Sequence, residues 1–153
     1  MAKQLQLRRG TTAANDLFTG ADGEVTVDTT NHSLRVHNGS TQGGYLVDTV
    51  VAFQRPSIDN NYTWYRKYAS GWVEQGGIVF PTTTTPTRVS VTLPVTMSSN
   101  VYPVQITSGD NTADANIYSY YTNRTTTGFE LLYNHTTSSY TIGDSWQVSG
   151  MAA

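Results

Sequence analysis

Within fourteen residues, Trp64-Tyr65-Arg66-Lys67-Tyr68-Ala69-Ser70-Gly71-Trp72-Val73-Glu74-Gln75-Gly76-Gly77, the chain places four aromatic side chains, a turn and a glycine pair. Aromatic residues suit a pleated, half-buried surface, so Tyr62 to Tyr68 reads as a β-strand. Ala69-Ser70-Gly71 reads as a turn in which glycine supplies positive φ, and Trp72 opens the returning strand. Gly76-Gly77 then lets the backbone turn away or approach another chain closely. Trp64 and Trp72 are two of the three tryptophans, and together with Trp146 they are expected in a core. The hairpin marks the nucleus of a β domain.

A chain of 153 residues holds one domain or two small ones. Charged residues make up 13% and the net charge is −2, which leaves no basic footprint for nucleic acid or acidic membranes. Low charge with abundant Thr, Ser, Asn and Tyr favours strands over the Ala, Leu, Glu and Lys of helical enzymes. Cysteine is absent, so disulfides and thiolate metal sites are excluded and stability must come from packing or association. No apolar run approaches the ~20 residues of a membrane span. Met1-Ala2-Lys3-Gln4 carries no apolar signal core, so synthesis in a cytoplasm without a standard secretion signal is expected.

In chain order, Gln4-Leu5-Gln6-Leu7-Arg8 alternates polar and apolar residues as a short strand. Thr11 or Thr12 can cap one helical turn through Asn15-Asp16-Leu17-Phe18. Glu24 to Asp28 and Ser33 to His37 form a hairpin with Val25, Val27, Leu34 and Val36 expected inward. Asn38-Gly39 is a turn signal. About 45 residues with about eight inward apolar side chains cannot bury a sufficient core alone, so association is the simplest remedy. Val47 to Asn61 is a boundary, with Val50, Val51 and Phe53 in a packed connector and Pro56 and Asn60-Asn61 breaking regular structure.

Beyond the organising hairpin, strands are expected at Ile78-Val79-Phe80, Arg88 to Leu93 (Val89, Val91 and Leu93 inward), Val101 to Thr107, Asn116 to Thr122, Gly128 to Tyr133, and Trp146-Gln147-Val148. On the fifth of these runs Phe129, Leu131 and Tyr133 share a face. Strands at this spacing with polar turns indicate a sandwich or barrel. Heptads and short internal repeats are missing.

Two stretches resemble known phage modules. Arg8-Arg9-Gly10-Thr11-Thr12-Ala13-Ala14-Asn15-Asp16, Gly23-Glu24-Val25-Thr26-Val27-Asp28-Thr29 and Leu34-Arg35-Val36-His37-Asn38-Gly39 together resemble the N-terminal domain of fibre-like phage tail proteins, which include the major tropism determinant and phage hyaluronidases. This resemblance spans residues 4 to 46 and implies an intertwined trimeric β-prism at the virion-proximal end. The Trp64–Gly77 hairpin, with Trp146-Gln147-Val148-Ser149-Gly150 near the C-terminus, looks like the receptor-binding tip of bacteriophage tail fibres. It implies a trimeric, β-rich adhesin.

Candidate chemistry is sparse. Three copies of His32 or His37 on a three-fold axis would suit a metal ion. The sequence lacks a His-x-His repeat, however, and His32 falls in a turn, so ordinary surface or turn histidines are expected, with no metal and no cofactor. A glycosidase needs two carboxylates ~5–10 Å apart in a cleft. Nothing in the sequence pairs Glu74, Glu130, Asp110, Asp114 or Asp144, and no nucleophile elbow is present. Aromatic side chains remain: Tyr and Trp stack on sugar rings and suit protein interfaces alike. Tyr118, Tyr120 and Tyr121 cannot all point into one core, because neighbours on a strand face opposite ways. For Tyr118 and Tyr120, trimer interface and ligand surface stand as equal alternatives. Residues 108–115, 122–127 and 134–141 are polar loops suited to adaptable contacts. The expected receptor-contacting residues are Tyr118, Tyr120, Arg124, His135 and Tyr140.

The sequence thus reads as an all-β, intertwined homotrimer. Residues 1–47 form a small prism-like trimerisation and virion-attachment module, 48–61 a connector, and 62–153 a β-sandwich or barrel tip. The expected function is a non-enzymatic phage tail fibre protein that binds a host surface glycan or protein. Its first module would contact other virion proteins, and it would assemble in the host cytoplasm. The alternative is a structural head fibre or decoration protein, and a polysaccharide depolymerase is a third reading.

Overall fold

A computed structural model describes residues 6–80, 87–109, 118–134 and 143–153. Nearly all regular structure is β, and the chain divides into two compact units. The first comprises Met1–Val51 with Tyr68–Ser70, and the second Ala52–Lys67 with Gly71–Ala153.

The first unit is a four-stranded sheet in chain order, built from β1 (Arg8–Gly10), β2 (Val25–Asp28), β3 (Ser33–Val36) and β4 (Tyr45–Val47). β1 runs parallel to β2, and the other pairs are antiparallel. The parallel step uses α1 (Thr12–Asp16), whose first turn is capped by the Thr11 hydroxyl accepting from the Ala14 N–H. Below β4, the Asp48 carboxylate accepts from the Ser70 N–H and hydroxyl at 2.9 and 2.8 Å, so the tip of the organising hairpin belongs to this unit.

The sheet's two faces are reversed from the expected order. Thr26, Asp28, Ser33, Arg35 and His37 are buried, whereas Leu34 and Val36 are about two-fifths exposed. Alternation was read correctly, but its polarity was not. The polar side is roofed by the chain's own α1 and by the loops of residues 18–20 and 41–44, which supply hydrogen-bond partners for Asp28, His37 and Arg35. His37 shows the consequence, being buried where a surface or turn histidine was expected. Its Nδ1 accepts from the Gly20 N–H at 3.2 Å, and its Nε2 lies 3.1 Å from the Thr26 hydroxyl. Gly20 and Gly44 flank the ring so closely that a Cβ on either would come within 2.6 and 2.8 Å of it. His32 sits exposed in its turn with φ of 50°. On the opposite face, cross-strand register lines up Val25–Val36–Tyr45 and Val27–Leu34–Val47 as two apolar rows.

In the sequence after β4, β5 (Val50–Gln54) is a strand and Ile58–Asn60 a 3-10 turn, so the connector is ordered. The second unit holds β6 (Trp64–Tyr68), β7 (Trp72–Val79), β8 (Thr87–Thr92), β9 (Val104–Thr107), β10 (Tyr118–Thr122), β11 (Gly128–Asn134) and β12 (Asp144–Met151). They form a five-stranded sheet of order β5-β6-β7-β12-β9 and a three-stranded sheet of order β10-β11-β8. The sheets pack as a sandwich: Val73, Trp146 and Val148 of the larger meet Val91, Phe129 and Leu131 of the smaller. Phe129 and Trp146 touch edge to face at 5.6 Å. Gln75 is a polar side chain buried in this core. Its amide binds the N–H and carbonyl of Val95 at 2.8 and 2.9 Å and so takes the place of a paired strand residue.

The hairpin is formed as read, with Gly71 at φ 88° in its turn. Gly76-Gly77, however, do not turn the chain. They lie inside β7, which runs on through Ile78 and Val79, and their missing side chains make room for two indoles. The strand read from Val101 begins only at Val104. Trp146 lies on a central strand between β7 and β9, not on a closing edge. Trp72 is 41% exposed, against its expected place in the core. A sandwich strand buries only one face, and the period of two gives that face to Val73, Gln75 and Gly77.

Candidate functional site

Of the five residues singled out as receptor contacts, the structure describes Tyr120 and Arg124 fully. Tyr120 is half exposed on β10, opposite Leu132 of β11. Tyr118 stands two positions earlier, opposite Asn134, and its side chain is outside the described residues, as are His135 and Tyr140 entirely. Loop 122–127 is described; most of 108–115 and 134–141 is not.

Arg124 does not present a free donor fork. Its Nη1 donates to the Tyr102 carbonyl at 2.5 Å, and its guanidinium lies 5.4 Å from the Tyr121 ring and 5.9 Å from the Tyr102 ring. Tyr102 is itself buried, with its hydroxyl 2.9 Å from the carbonyls of Thr125 and Gly128. Burial pushes that phenol's pKa up, and nearby Arg124 partly opposes the shift. On the outer side of the same turn, Arg88 and Asn123 hold Glu130 at 3.0 and 2.6 Å and keep its carboxyl below the usual range. Loop 122–127 is therefore tied down at both ends. Sequence composition reported its polarity but not where its polar groups are committed.

Asp144, one of the carboxylates considered for catalysis, is fully buried. It accepts from the Ser119 hydroxyl at 2.5 Å and from the Gly109 N–H at 3.2 Å, joining β10 to β12. Among the described residues, no group of three or more His, Asp or Glu side chains is arranged to hold a metal.

The second unit's most concentrated surface chemistry lies elsewhere, on the outer face of the five-stranded sheet. Register aligns Trp64, Gly76, Gln147 and Gln105 in one row across β6, β7, β12 and β9. The next row is Ile78, Ser145 and Thr107. A groove of about 390 Å³ follows these rows and is also lined by Pro56 and Tyr62. Trp64 is half buried, and a Cβ at Gly76 would meet its ring at 2.8 Å, so the glycine lets the indole lie against the strand. Gln105, Gln147, Ser145 and Thr107 are exposed. Sequence reading found Trp64 and the glycine pair but assigned both to structure. Only the strand order brings Gln105 and Gln147 beside them.

Comparison with known proteins bears on the first unit. Residues 5–41 match the family model described as Major tropism determinant N-terminal domain. A tail fiber receptor-binding protein of Bordetella phage BPP-1 is 49% identical over 45 residues, which is 29% of this chain and 12% of that protein. Among solved structures, the P. aeruginosa R2 pyocin fiber aligns with 67% of this chain and 26% of its own at 14% identity, with a TM-score of 0.47. The Major Tropism Determinant P3c variant aligns with 57% of this chain and 29% of its own at 27% identity, with a TM-score of 0.27. Residues 5–41 of this chain are thus similar to the Major tropism determinant N-terminal domain, and the chain spans about an eighth of the length of the phage tail fiber receptor-binding protein it resembles.

Proposed function

We propose that this protein is a homotrimeric phage fibre component that attaches the virion to its host by non-covalent receptor binding. Residues 1–47 act as the trimerisation and virion-attachment module, 48–61 as connector, and 62–153 as the receptor-binding tip. The supporting observations are the similarity of residues 5–41 to the Major tropism determinant N-terminal domain and the 45-residue similarity to a tail fiber receptor-binding protein.

The trimer reading has its own physical support. A four-stranded sheet that roofs its polar face with its own helix leaves Leu34, Val36, Tyr45 and Val47 of the two apolar rows exposed in a single chain. Apolar area left in water forfeits about 25 cal/mol per Å², and a second and third copy supply matching cover. Three tips on one axis then convert weak single contacts into avid attachment. Binding rather than catalysis is the proposed activity, in keeping with the relative's description as receptor-binding. The protein belongs on the virion, assembled with it in the host cytoplasm.

Adsorption competition tests the proposal. Purified protein added before phage should occupy host receptors and slow adsorption, and labelled protein should bind host cells. Absence of both effects, with a folded trimer in hand, rejects the attachment role in favour of a structural virion component.

A further inference from the structure

We infer that the groove beside Trp64 is a saccharide-binding site, selective for uncharged sugar rings of a bacterial surface glycan. The ligand's source rests on the attachment reading above; its chemical class rests on the groove itself.

A pyranose offers two kinds of surface, an apolar C–H face and a rim of hydroxyls that both donate and accept. Trp64 supplies the first complement, a half-buried indole laid along the strand because position 76 has no side chain. Gln147 and Gln105 supply the second from the same row, each with two donors and an acceptor. Among the described residues neither amide is committed to another protein group, which leaves both for a ligand. Ser145 and Thr107 add hydroxyls in the adjoining row.

Charge decides between ligand classes. No lining residue is ionisable near neutral pH, so nothing favours a phosphate, a carboxylate or a basic peptide. The row crosses four strands, ~14 Å at the usual strand spacing, which is room for more than one ring of a chain. Backbone strain adds a separate pointer. Tyr62, which lines the groove, holds φ of 57° directly after Asn61 at 53°, although a bulky residue disfavours the left-handed region. Strain of this kind collects at ligand sites. Here it directs the chain so that Tyr62 lines the groove, edge to face with Phe80 at 5.7 Å.

The test uses the full chain on printed bacterial capsular and O-antigen polysaccharides, with saturation-transfer NMR of bound glycans. Parallel binding assays use host cells before and after periodate oxidation, which destroys vicinal diols. The wild type should bind at least one neutral polysaccharide. Trp64→Ala and the double variant Gln105→Ala/Gln147→Ala should each lose at least tenfold, whereas Trp64→Tyr should retain most binding. The glutamine pair is exposed, so its loss does not depend on Trp64→Ala folding well. Cell binding that survives periodate overturns the saccharide inference, as does unchanged binding by the folded glutamine variant. Neither outcome touches the attachment reading, which falls only if the wild type fails to bind cells at all. Dissociation of the assembly by the glutamine variant overturns the inference by making the groove a seam between copies.

Discussion

Arg35 Nη2 stands 2.9 Å from Asp28 Oδ2 inside the first unit, on the side of the sheet roofed by α1. The same guanidinium reaches the Asp16 carboxylate at 2.7 Å and the Gly43 carbonyl at 3.0 Å, tying strand, helix and loop together. Asp28 in turn accepts from the Thr12 hydroxyl and from the N–H groups of Thr30 and Asn31. A buried pair with this many partners is costly to break from one side. Asp28→Ala removes the buried partner and leaves Arg35 only the more exposed Asp16 carboxylate and the Gly43 carbonyl, which should cost about 3 kcal/mol. Thermal denaturation should show the first unit melting early, and unchanged melting would contradict the network's role.

The same carboxylate gives the unit a pH dependence. Burial pushes the Asp28 pKa up, but hydrogen bonds from Asn31, Arg35, Thr12 and Thr30 outweigh it and hold the value below the ordinary one. A group depressed on folding contributes its full stability above the unfolded pKa, about 3.9, and loses it as pH falls through the folded value. The first unit should therefore be insensitive to this group at neutral pH and weaken only below about pH 4. Acid titration followed by circular dichroism checks the wild type, and Asp28→Asn should flatten that limb of the curve.

The outward apolar rows make an opposite kind of prediction. Leu34 and Val36 are solvent-facing in one chain, so Leu34→Asp should leave a single chain's fold intact, while an apolar seam between copies would not tolerate the charge. Sedimentation should give about three times the 16.8 kDa chain mass for the wild type. The variant should fall to the monomer or aggregate. A wild-type monomer would remove the trimer from the proposal.

These faces show what the sequence could and could not convey. Period-two alternation located β2, β3, β8 and β11 closely, because strand geometry is local. Which face turns inward is not local. It depends on whether α1 and the loop of residues 41–44 cover the polar side, and those segments lie outside the strands in sequence. Trp72 misled for the same reason, since aromatic bulk suggests burial without saying on which side of a strand it falls. The row from Trp64 to Gln105 joins residues 41 positions apart through the β12 crossover, and no short-range pattern records that order.

Trp146 and Trp72 should separate sharply on substitution. Trp146 is 4% exposed and packs on Phe129 across the sandwich, so Trp146→Ala should cost about 3–5 kcal/mol and abolish soluble second unit. Trp72→Ala, on the outer face, should cost well under that. Chemical denaturation of both variants checks the contrast, and equal losses would return Trp72 to the core.

Arg124 and Tyr120 offer the last contrast, because both were drawn from the sequence as receptor contacts and the structure treats them differently. Arg124 ties loop 122–127 to the Tyr102 carbonyl and lies against two tyrosine rings. Hydrogen bonds from a charged donor are worth about 1.5–3 kcal/mol, so Arg124→Ala should lower stability by about that amount. Arg124→Lys should recover little, since an ammonium has no planar face for the rings. Any fall in host binding by the alanine variant would then follow from a loosened loop. Tyr120 is half exposed, and Tyr120→Ala should stay within about 1 kcal/mol of wild type. Host-cell binding by that stable variant is the discriminating measurement. A loss places a receptor contact on β10, and full retention removes Tyr120 from the contact surface.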